Sequence, residues 1–332
     1  INYGIDLGTT NSSIARAIGQ NIDVIQIGQS FILPSCVHFK KSGERFVGMR
    51  ALDQKKSNYS YITKNTFSEF KNNMGEDIKY HSSHANKDFT PEDLSSFVLR
   101  ELKQAVKDEN FNAVVVTVPA DFDQTQIDAT KKASELAGFD YCELLQEPIA
   151  ASVAYLNDNE NLEGTWLVFD FGGGTFDAAL VRRQDGIMKV IDTMGDNNLG
   201  GKNLDEAIVE KIIFPHLQEK YEFSEILSND EKRNELKNIL KYYAEQCKKD
   251  LTDNEKSTLY MDDPIHDDNG ELIDLEIEIN RSDFNSSISE YIDRAISICN
   301  QLLKNNGLKG EELQTILPLS LIHISEPTRL GM

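Results

Sequence analysis

Two short segments place an acidic residue before a turn rich in glycine and threonine, a pattern suited to holding phosphate and a metal ion. The first is Asp6–Thr10 and the second is Asp170–Thr175. A turn of this kind points several backbone N–H groups into one concave space, where they can hold phosphate oxygens. The aspartate would instead hold hydrated Mg²⁺, which prefers carboxylate oxygens. Asp-x-Gly is also common in ordinary hairpin turns, so it is the repetition that favours a paired phosphate site.

Two other phosphate-binding motifs do not fit. The segment from Gly195 to Asn203 approaches the Walker pattern, but its spacing is one residue too long and Asn203 replaces the metal-binding hydroxyl. No G-x-G-x-x-G opens a helix after a strand, so the fingerprint of a dinucleotide-binding fold is missing.

The bulk composition restricts the kind of partner. With 332 residues and 39% hydrophobic content, the chain can bury a large core in two domains or in one bilobed domain. The net charge of −21 disfavours nucleic acid and anionic membranes, so a phosphate site must be built locally. No apolar run approaches the roughly 20 residues that cross a bilayer. The 4 cysteines lack a C-x-x-C pair, which favours a reducing, cytoplasmic location over disulfides or zinc.

Strands and helices alternate around the two motifs. The segment from Thr90 is a good helix start. Thr90 offers a hydroxyl as the N-cap, and Pro91 and two acidic residues follow in the first turn. The pattern predicts strands at 3–6, 12–18, 114–118, 141–145, 166–169, 176–181, 188–194 and 313–317, with a hairpin of 257–261 and 271–279. It predicts helices from about 91 to 106 and over 124–137, 149–156, 204–221, 229–251 and 282–304. We therefore expect an α/β fold with a mixed or parallel sheet.

The acidic, Asn-rich segment 157–164 is the best candidate for a boundary between two lobes. We expect lobe I at 1–160, with an outer subdomain at about 36–90. Lobe II is expected at 161–317, with an outer subdomain at about 202–280.

Five collinear motifs together resemble the nucleotide-binding domain of the seventy-kilodalton heat-shock chaperones. They are Gly4–Ser12, Val118–Ala120, Glu147–Ala151, Phe169–Asp177, and Gly195-Asp196 followed by Leu199-Gly200-Gly201. The resemblance runs from Ile1 to about Leu317. It implies an actin-like ATPase fold, with two lobes, each a mixed sheet with flanking helices, around a nucleotide cleft.

The resemblance also implies roles for individual residues. Lys71, Glu147, Asp170 and Thr175 would be catalytic, and Asp6, Asp170 and Glu147 would organise Mg²⁺ through water. K⁺ is a further candidate cation. The residues implied to bind ATP or ADP are Gly8, Thr9, Thr10, Asn11, Gly172, Gly173, Gly174, Gly200, Gly201, Glu245, Lys248 and Thr252. The implied partners are unfolded polypeptides bound through a further C-terminal domain, a J-domain cochaperone and a nucleotide-exchange factor.

The chain departs from the family pattern at several positions. Asn72 follows Lys71 where a basic residue is usual, and Lys249 stands where many members stack an arginine on adenine. Ile127 replaces an arginine that often contacts the next domain, which weakens the expectation of coupling. After Leu317 the family's Gly-Gly turn is missing, and residues 318–332 are interpreted as a non-native tail. This chain is therefore expected to bind ATP poorly.

Two alternatives stay open at this stage. One is a sugar or carboxylate kinase on the same fold, which needs a carboxylate base against a substrate hydroxyl. The other is a noncatalytic relative that binds nucleotide or forms filaments. The Glu-Pro-x-Ala-Ala and Gly-Gly-Gly-Thr-Phe-Asp motifs favour the chaperone ATPase.

Overall fold

The computed structural model describes residues 1–19, 21–57, 65–108, 111–156, 162–261 and 265–319. The chain folds into two compact units. The first unit is Ile1–Val168 with Val181–Thr193, and the second is Phe169–Leu180 with Met194–Met332. Most of the tail predicted at 318–332 and part of the predicted lobe boundary lie outside the described residues, and the lobe limits stay a prediction.

The elements up to residue 156 all belong to the first unit. Its strands are β1 (Tyr3–Leu7), β2 (Asn11–Ile18), β3 (Asn21–Val24), β4 (Leu33–Pro34), β5 (Cys36–Phe39), β6 (Arg45–Val47), β7 (Thr66–Ser68), β8 (Tyr80–Ser82), β9 (Lys87–Phe89), β10 (Ala113–Val118) and β11 (Tyr141–Gln146). Its helices are α1 (Met49–Ser57), α2 (Pro91–Ala105), α3 (Gln124–Ala137) and α4 (Glu147–Leu156), with a 3₁₀ turn at Phe70–Asn73.

The main sheet of the first unit has the order β11-β10-β1-β2-β3, with β4 added beside β2. Strands β11, β10 and β1 run parallel, whereas β2 returns antiparallel to β1. Parallel strands need crossover connections, which α2 and α3 supply between β1 and β11. Alternate residues of β10 are buried, and the strand packs in one continuous core with α2 and α3.

Local sequence signals explain where the two crossover helices begin and end. Thr90 accepts a hydrogen bond from the Asp93 backbone N–H, and the Asp93 side chain accepts one from the Thr90 backbone N–H, which forms the capping box of α2. Asp123 and Gln126 cap α3 in the same way. Gly138 ends α3 with a φ of 92°, a left-handed conformation that favours glycine.

The later elements begin with three strands whose residues are divided between the two units: β12 (Gly164–Phe171), β13 (Phe176–Gln184) and β14 (Ile187–Asp196). They form a sheet of order β14-β13-β12-β17, where β17 is Ile316–Pro318. The second unit also contains α5 (Gly201–Ile208), α6 (Phe214–Lys220), α7 (Ser224–Ser228), α8 (Asp230–Asp253), β15 (Lys256–Tyr260), β16 (Glu276–Asn280) and α9 (Arg281–Asn305), with a 3₁₀ turn at Gly310–Glu312.

Three predicted elements of the second unit differ from the observed ones. The predicted helix 204–221 is interrupted by a π turn at Val209–Ile213. Pro215 explains the break, because it has no N–H to donate to the preceding turn. The predicted strand 271–279 is shortened to β16, and the predicted strand 313–317 is reduced to β17 after the 3₁₀ turn. In the described part of the chain, no helix is both long and apolar enough to cross a membrane.

Candidate functional site

The carboxyl ends of three parallel strands bring polar side chains together in the first unit. Ile5 of β1 pairs with Val116 of β10, and Val118 of β10 pairs with Gln146 of β11. The residues after these pairs therefore lie along one edge of the sheet, where open α/β sheets commonly bind ligands. Asp6 lies at this edge and is exposed, and the Thr117 hydroxyl donates a 2.8 Å hydrogen bond to its Oδ1.

Glu147 follows β11 directly and forms an ion pair with Lys71. The Nζ of Lys71 lies 2.7 Å from Oε1 of Glu147, although 76 positions separate the two residues. Both side chains are shielded from water, with only 8% of the lysine and 19% of the glutamate side chain exposed. Lys71 comes from the 3₁₀ turn, which the buried side chains of Phe70 and Met74 anchor in the core.

The environment of Glu147 shifts the pKa of its carboxyl. Burial raises the pKa of this carboxyl, and the negative charge of Asp6 raises the pKa further. Lys71 opposes both effects, but the net shift of the pKa is upward. Asp6 lies near the carboxyl end of β1 and Glu147 directly follows β11, so the parallel pairing places both carboxylates at the same edge of the sheet. Asp6, Lys71 and Glu147 thus form one charged cluster at the edge of the sheet.

The first glycine-containing turn lies between β1 and β2 and is fixed by Ser35. The Ser35 backbone N–H donates to the Thr10 carbonyl at 2.8 Å, and its hydroxyl donates to the Gly8 carbonyl at 2.7 Å. A Cβ at Gly8 would overlap the carbonyl oxygen of Asn11, so the tight turn excludes any side chain at Gly8. The Thr9 hydroxyl donates to Oδ1 of Asn72 at 3.1 Å. The turn is therefore linked to the residue that follows Lys71.

The second glycine-rich turn is built entirely from residues of the second unit. The Gly172 N–H donates to the Thr175 carbonyl at 2.9 Å and closes the turn. The N–H groups of Gly201 and Lys202 donate to the carbonyls of Gly172 and Gly173, at 2.9 and 2.8 Å. These bonds join the turn to the start of α5.

The glycine at position 200 allows this close approach. A Cβ on Gly200 would lie 2.6 Å from the backbone of Gly174, a distance that real Cβ atoms essentially never show. Five glycines are thus brought together at one place: Gly172, Gly173, Gly174, Gly200 and Gly201. Asp170 precedes the turn as a half-buried residue near the end of β12.

Helix α8 carries the three residues implied to contact the nucleoside. Lys248 reaches the glycine-rich turn, because its Nζ lies 3.1 Å from the Gly201 carbonyl oxygen and 2.7 Å from Oδ1 of Asp205. Glu245 forms an ion pair of 2.7 Å with Lys249. Thr252 lies one turn further along α8, where its hydroxyl donates to the Lys248 carbonyl at 3.4 Å.

The donor set fits a magnesium ion that is bound together with phosphate. Among the described residues, no group of three or more His, Cys, Asp or Glu side chains is placed to hold a metal ion. Mg²⁺ in nucleotide sites is typically held by one or two carboxylates, several waters and the phosphates. Asp6 is exposed and oxygen-bearing, and Glu147 lies at the same edge of the sheet, so the first unit matches that arrangement.

Several residues of the site were missed in the sequence. Ser35 and Thr117 had no motif to mark them, although the parallel pairing of β1 and β10 would place Thr117 beside Asp6. Asn72 was noted only as a departure from a basic residue, whereas it is the hydrogen-bond acceptor for Thr9. Asp205 was also missed, because its partner Lys248 is 43 positions away in the sequence and only the packing of α5 on α8 joins them.

Comparison with known protein families gives a match over nearly the whole chain. A model of the Hsp70 protein family matches residues 2–319. The matched range includes both glycine-rich turns, the Lys71–Glu147 ion pair and helix α8. The expected α/β fold is confirmed, because the mixed sheets and helices of the described residues agree with the actin-like ATPase fold of that family.

Proposed function

Because the chain belongs to the Hsp70 family and matches its chaperone nucleotide-binding domain, we propose that it binds ATP and ADP with Mg²⁺ and hydrolyses ATP. The reaction is phosphoryl transfer to water. The observation that carries this proposal is the largely shielded ion pair of Lys71 and Glu147, at the sheet edge where Asp6 also lies. It provides a fixed cation and a carboxylate of raised pKa at the edge of a sheet that is suited to ligand binding.

In this proposal the residues of the first unit serve the reacting end of the nucleotide. Lys71 stabilises the charge that develops on the transferring phosphoryl group, since a preorganised cation costs no reorganisation during the reaction. Glu147 orients Lys71 and positions the attacking water. Asp6 holds water molecules of the metal shell, and Thr117 fixes the orientation of its carboxylate. The Mg²⁺ ion, when bound, neutralises charge on the phosphate oxygens.

The second unit serves the phosphates and the nucleoside. The turn of Gly172–Gly174 offers the backbone N–H groups of Gly173 and Gly174 to phosphate oxygens, and Thr175 lies near the terminal phosphate. Gly200 and Gly201 support the turn. Lys248, Glu245 and Thr252 contact the ribose and base from α8. Asp170 organises water molecules of the metal shell.

The wider role follows from the family alone. We propose that nucleotide state is coupled to the binding of unfolded polypeptides through a further domain, with a J-domain cochaperone and a nucleotide-exchange factor as partners. A role in protein folding under stress and a cytoplasmic location belong to the same proposal.

Phosphate release tests the reaction. Initial rates at saturating Mg²⁺ and ATP are compared for the wild type, Lys71→Ala and Lys79→Ala. Lys79 is an exposed lysine of the same unit and serves as the matched control. We expect Lys71→Ala to lower the rate by about 100-fold or more, by analogy with the loss of one preorganised stabilising group. Lys79→Ala should leave the rate within about twofold of the wild type, since surface substitutions have small effects.

An unchanged rate for Lys71→Ala would remove the catalytic role of this residue. Stimulation of ATP consumption by a sugar, rather than by unfolded peptide, would favour the small-molecule kinase. ATP-dependent sedimentation without hydrolysis would favour a filament-forming relative.

A further inference from the structure

Lys202 lies beside the glycine-rich turn of the second unit, and the family motif gives it no role. If Gly174 carried a Cβ, that atom would lie 2.9 Å from Nζ, 3.2 Å from Cε and 3.6 Å from Cδ of Lys202. The end of the lysine side chain therefore packs against the side of Gly174 that lacks a side chain. Its ammonium group is held next to the backbone that the proposed function assigns to phosphate.

The position of Lys202 is fixed by its own backbone. Its N–H donates to the Gly173 carbonyl at 2.8 Å, and the neighbouring N–H of Gly201 donates to the Gly172 carbonyl at 2.9 Å. The lysine side chain therefore starts from a backbone that is bonded to the turn itself. The four-carbon stem packs along Gly174, which keeps the ammonium group beside the turn.

A second lysine near the turn is more enclosed. Lys248 is buried, and its Nζ is shared between the carboxylate of Asp205 and the Gly201 carbonyl. Lys202 is half-buried, so a ligand in solution can approach its side chain more easily. In a chain with a net charge of −21, an anionic ligand needs a local cation to offset the general repulsion.

We propose that Lys202 is a phosphate-binding residue of this chain, contacting the phosphate groups of the nucleotide held by Gly172–Gly174. This inference rests on the proposed function, because it adds a side chain to the same site. A lysine ammonium is a compact point charge that binds phosphate oxygens without a fixed orientation. The glycine at position 200 then admits the close backbone of Gly174, and the glycine at position 174 leaves room for the ammonium group.

Calorimetric titration with ADP and with ATP, each with Mg²⁺, tests this role. Lys202→Met keeps most of the stem and removes the charge, whereas Lys202→Arg keeps the charge. Lys220→Met is the matched control, since Lys220 is an exposed lysine of the same unit. We expect Lys202→Met to weaken binding of both nucleotides by about tenfold or more, as expected for one charge near phosphate in a partly shielded site. Lys202→Arg and Lys220→Met should stay within about threefold of the wild type.

Thermal melting without nucleotide separates binding from folding. We expect Lys202→Met to melt within about 2 °C of the wild type, as is usual for a substitution outside the core. Wild-type affinity in Lys202→Met, equal loss in Lys202→Arg, or equal loss in Lys220→Met would overturn the assignment of Lys202. If the wild type binds neither nucleotide, the proposed function fails as well, so the two failures are distinguishable.

Discussion

Substitutions of Lys71 and Glu147 should have strongly coupled effects on the stability of the first unit. At the observed 2.7 Å between Nζ and Oε1, the Coulomb attraction is roughly 6 kcal/mol at an effective dielectric constant of about 20. Removing two charges from water offsets most of this attraction. The measurable quantity is therefore the stability lost when only one of the two side chains is replaced. The loss is large because the remaining charge stays shielded from water without its partner.

The magnitude follows from the burial of both side chains. Breaking a fully buried pair by removing one partner costs about 3–5 kcal/mol. Since 8% of Lys71 and 19% of Glu147 remain exposed, we expect Lys71→Met and Glu147→Gln each to cost about 2–3 kcal/mol. The double variant contains neither charge and should cost about 1–2 kcal/mol in total. The coupling energy of the cycle is then about 2–5 kcal/mol.

The chain offers a direct probe for this measurement. Trp166 is its single tryptophan, and it is fully buried in the first unit. The indole N–H donates a 2.7 Å hydrogen bond to the Ser152 hydroxyl on α4, the helix that begins with Glu147. Urea unfolding followed by Trp166 fluorescence therefore reports on the element that carries the glutamate.

The test compares the stability loss of the double variant with the sum of the two single losses. If the double variant loses the sum of the two single losses, the two side chains do not interact and the buried pair is refuted. Single losses below about 0.5 kcal/mol would refute the shielding of the pair, because exposed ion pairs are worth about that much. Lys79→Met, at an exposed lysine of the same unit, controls for the loss of a positive charge.

Three further predictions concern the second unit and the cysteines. Burial raises the pKa of Asp205 to about 6 against its lysine partner, so the folded state holds a proton more tightly than the unfolded state. The difference in unfolding free energy between the wild type and Asp205→Asn should therefore fall by up to roughly 3 kcal/mol as the pH rises from about 4 to 6. A difference that does not change with pH in urea titrations would contradict this. Burial raises the pKa of the Cys299 thiol to about 12, so this thiol should react slowly with alkylating reagents. Mass spectrometry after mild alkylation at pH 8 should find the less buried Cys142 modified and Cys299 intact. Early modification of Cys299 would refute the packing of α9. Gly200→Ala should lower the melting temperature and weaken ADP binding, because its Cβ would lie 2.6 Å from the turn backbone, whereas Gly201→Ala meets only contacts of 3.4 Å or more. Equal behaviour of the two glycine variants would count against the close approach.

Periodic and capping signals in the sequence were sufficient for the longer elements. Thr90 marked the start of α2 and Gly138 the end of α3, and both positions are confirmed. The strands around both glycine-rich turns were also predicted, because β-branched and apolar residues dominate them. These signals are local, so one sequence is enough to read them.

The short elements and the side-chain pairs could not be read in the same way. Strands β4 to β9 have only 2 to 4 residues each, too few to show a period of two. Lys71 and Glu147 were each implied by resemblance, but their ion pair spans 76 positions and depends on the packing of the 3₁₀ turn against the core. Lys202 was met only as part of a failed Walker pattern. Its place beside Gly174 follows from backbone bonds between the turn and the start of α5, which no sequence motif records.

Titrating the wild-type chain with ATP and ADP by calorimetry, with and without Mg²⁺, tests the central claim most directly. The proposed site predicts weak but saturable binding of each nucleotide at one site, with an affinity that rises when Mg²⁺ is present. Affinity should depend on Mg²⁺ because the phosphates are held partly by the metal ion and its waters, in addition to backbone N–H groups and lysine. The absence of saturable heat for both nucleotides up to millimolar concentrations, the top of the usual range of KM values, would contradict the account.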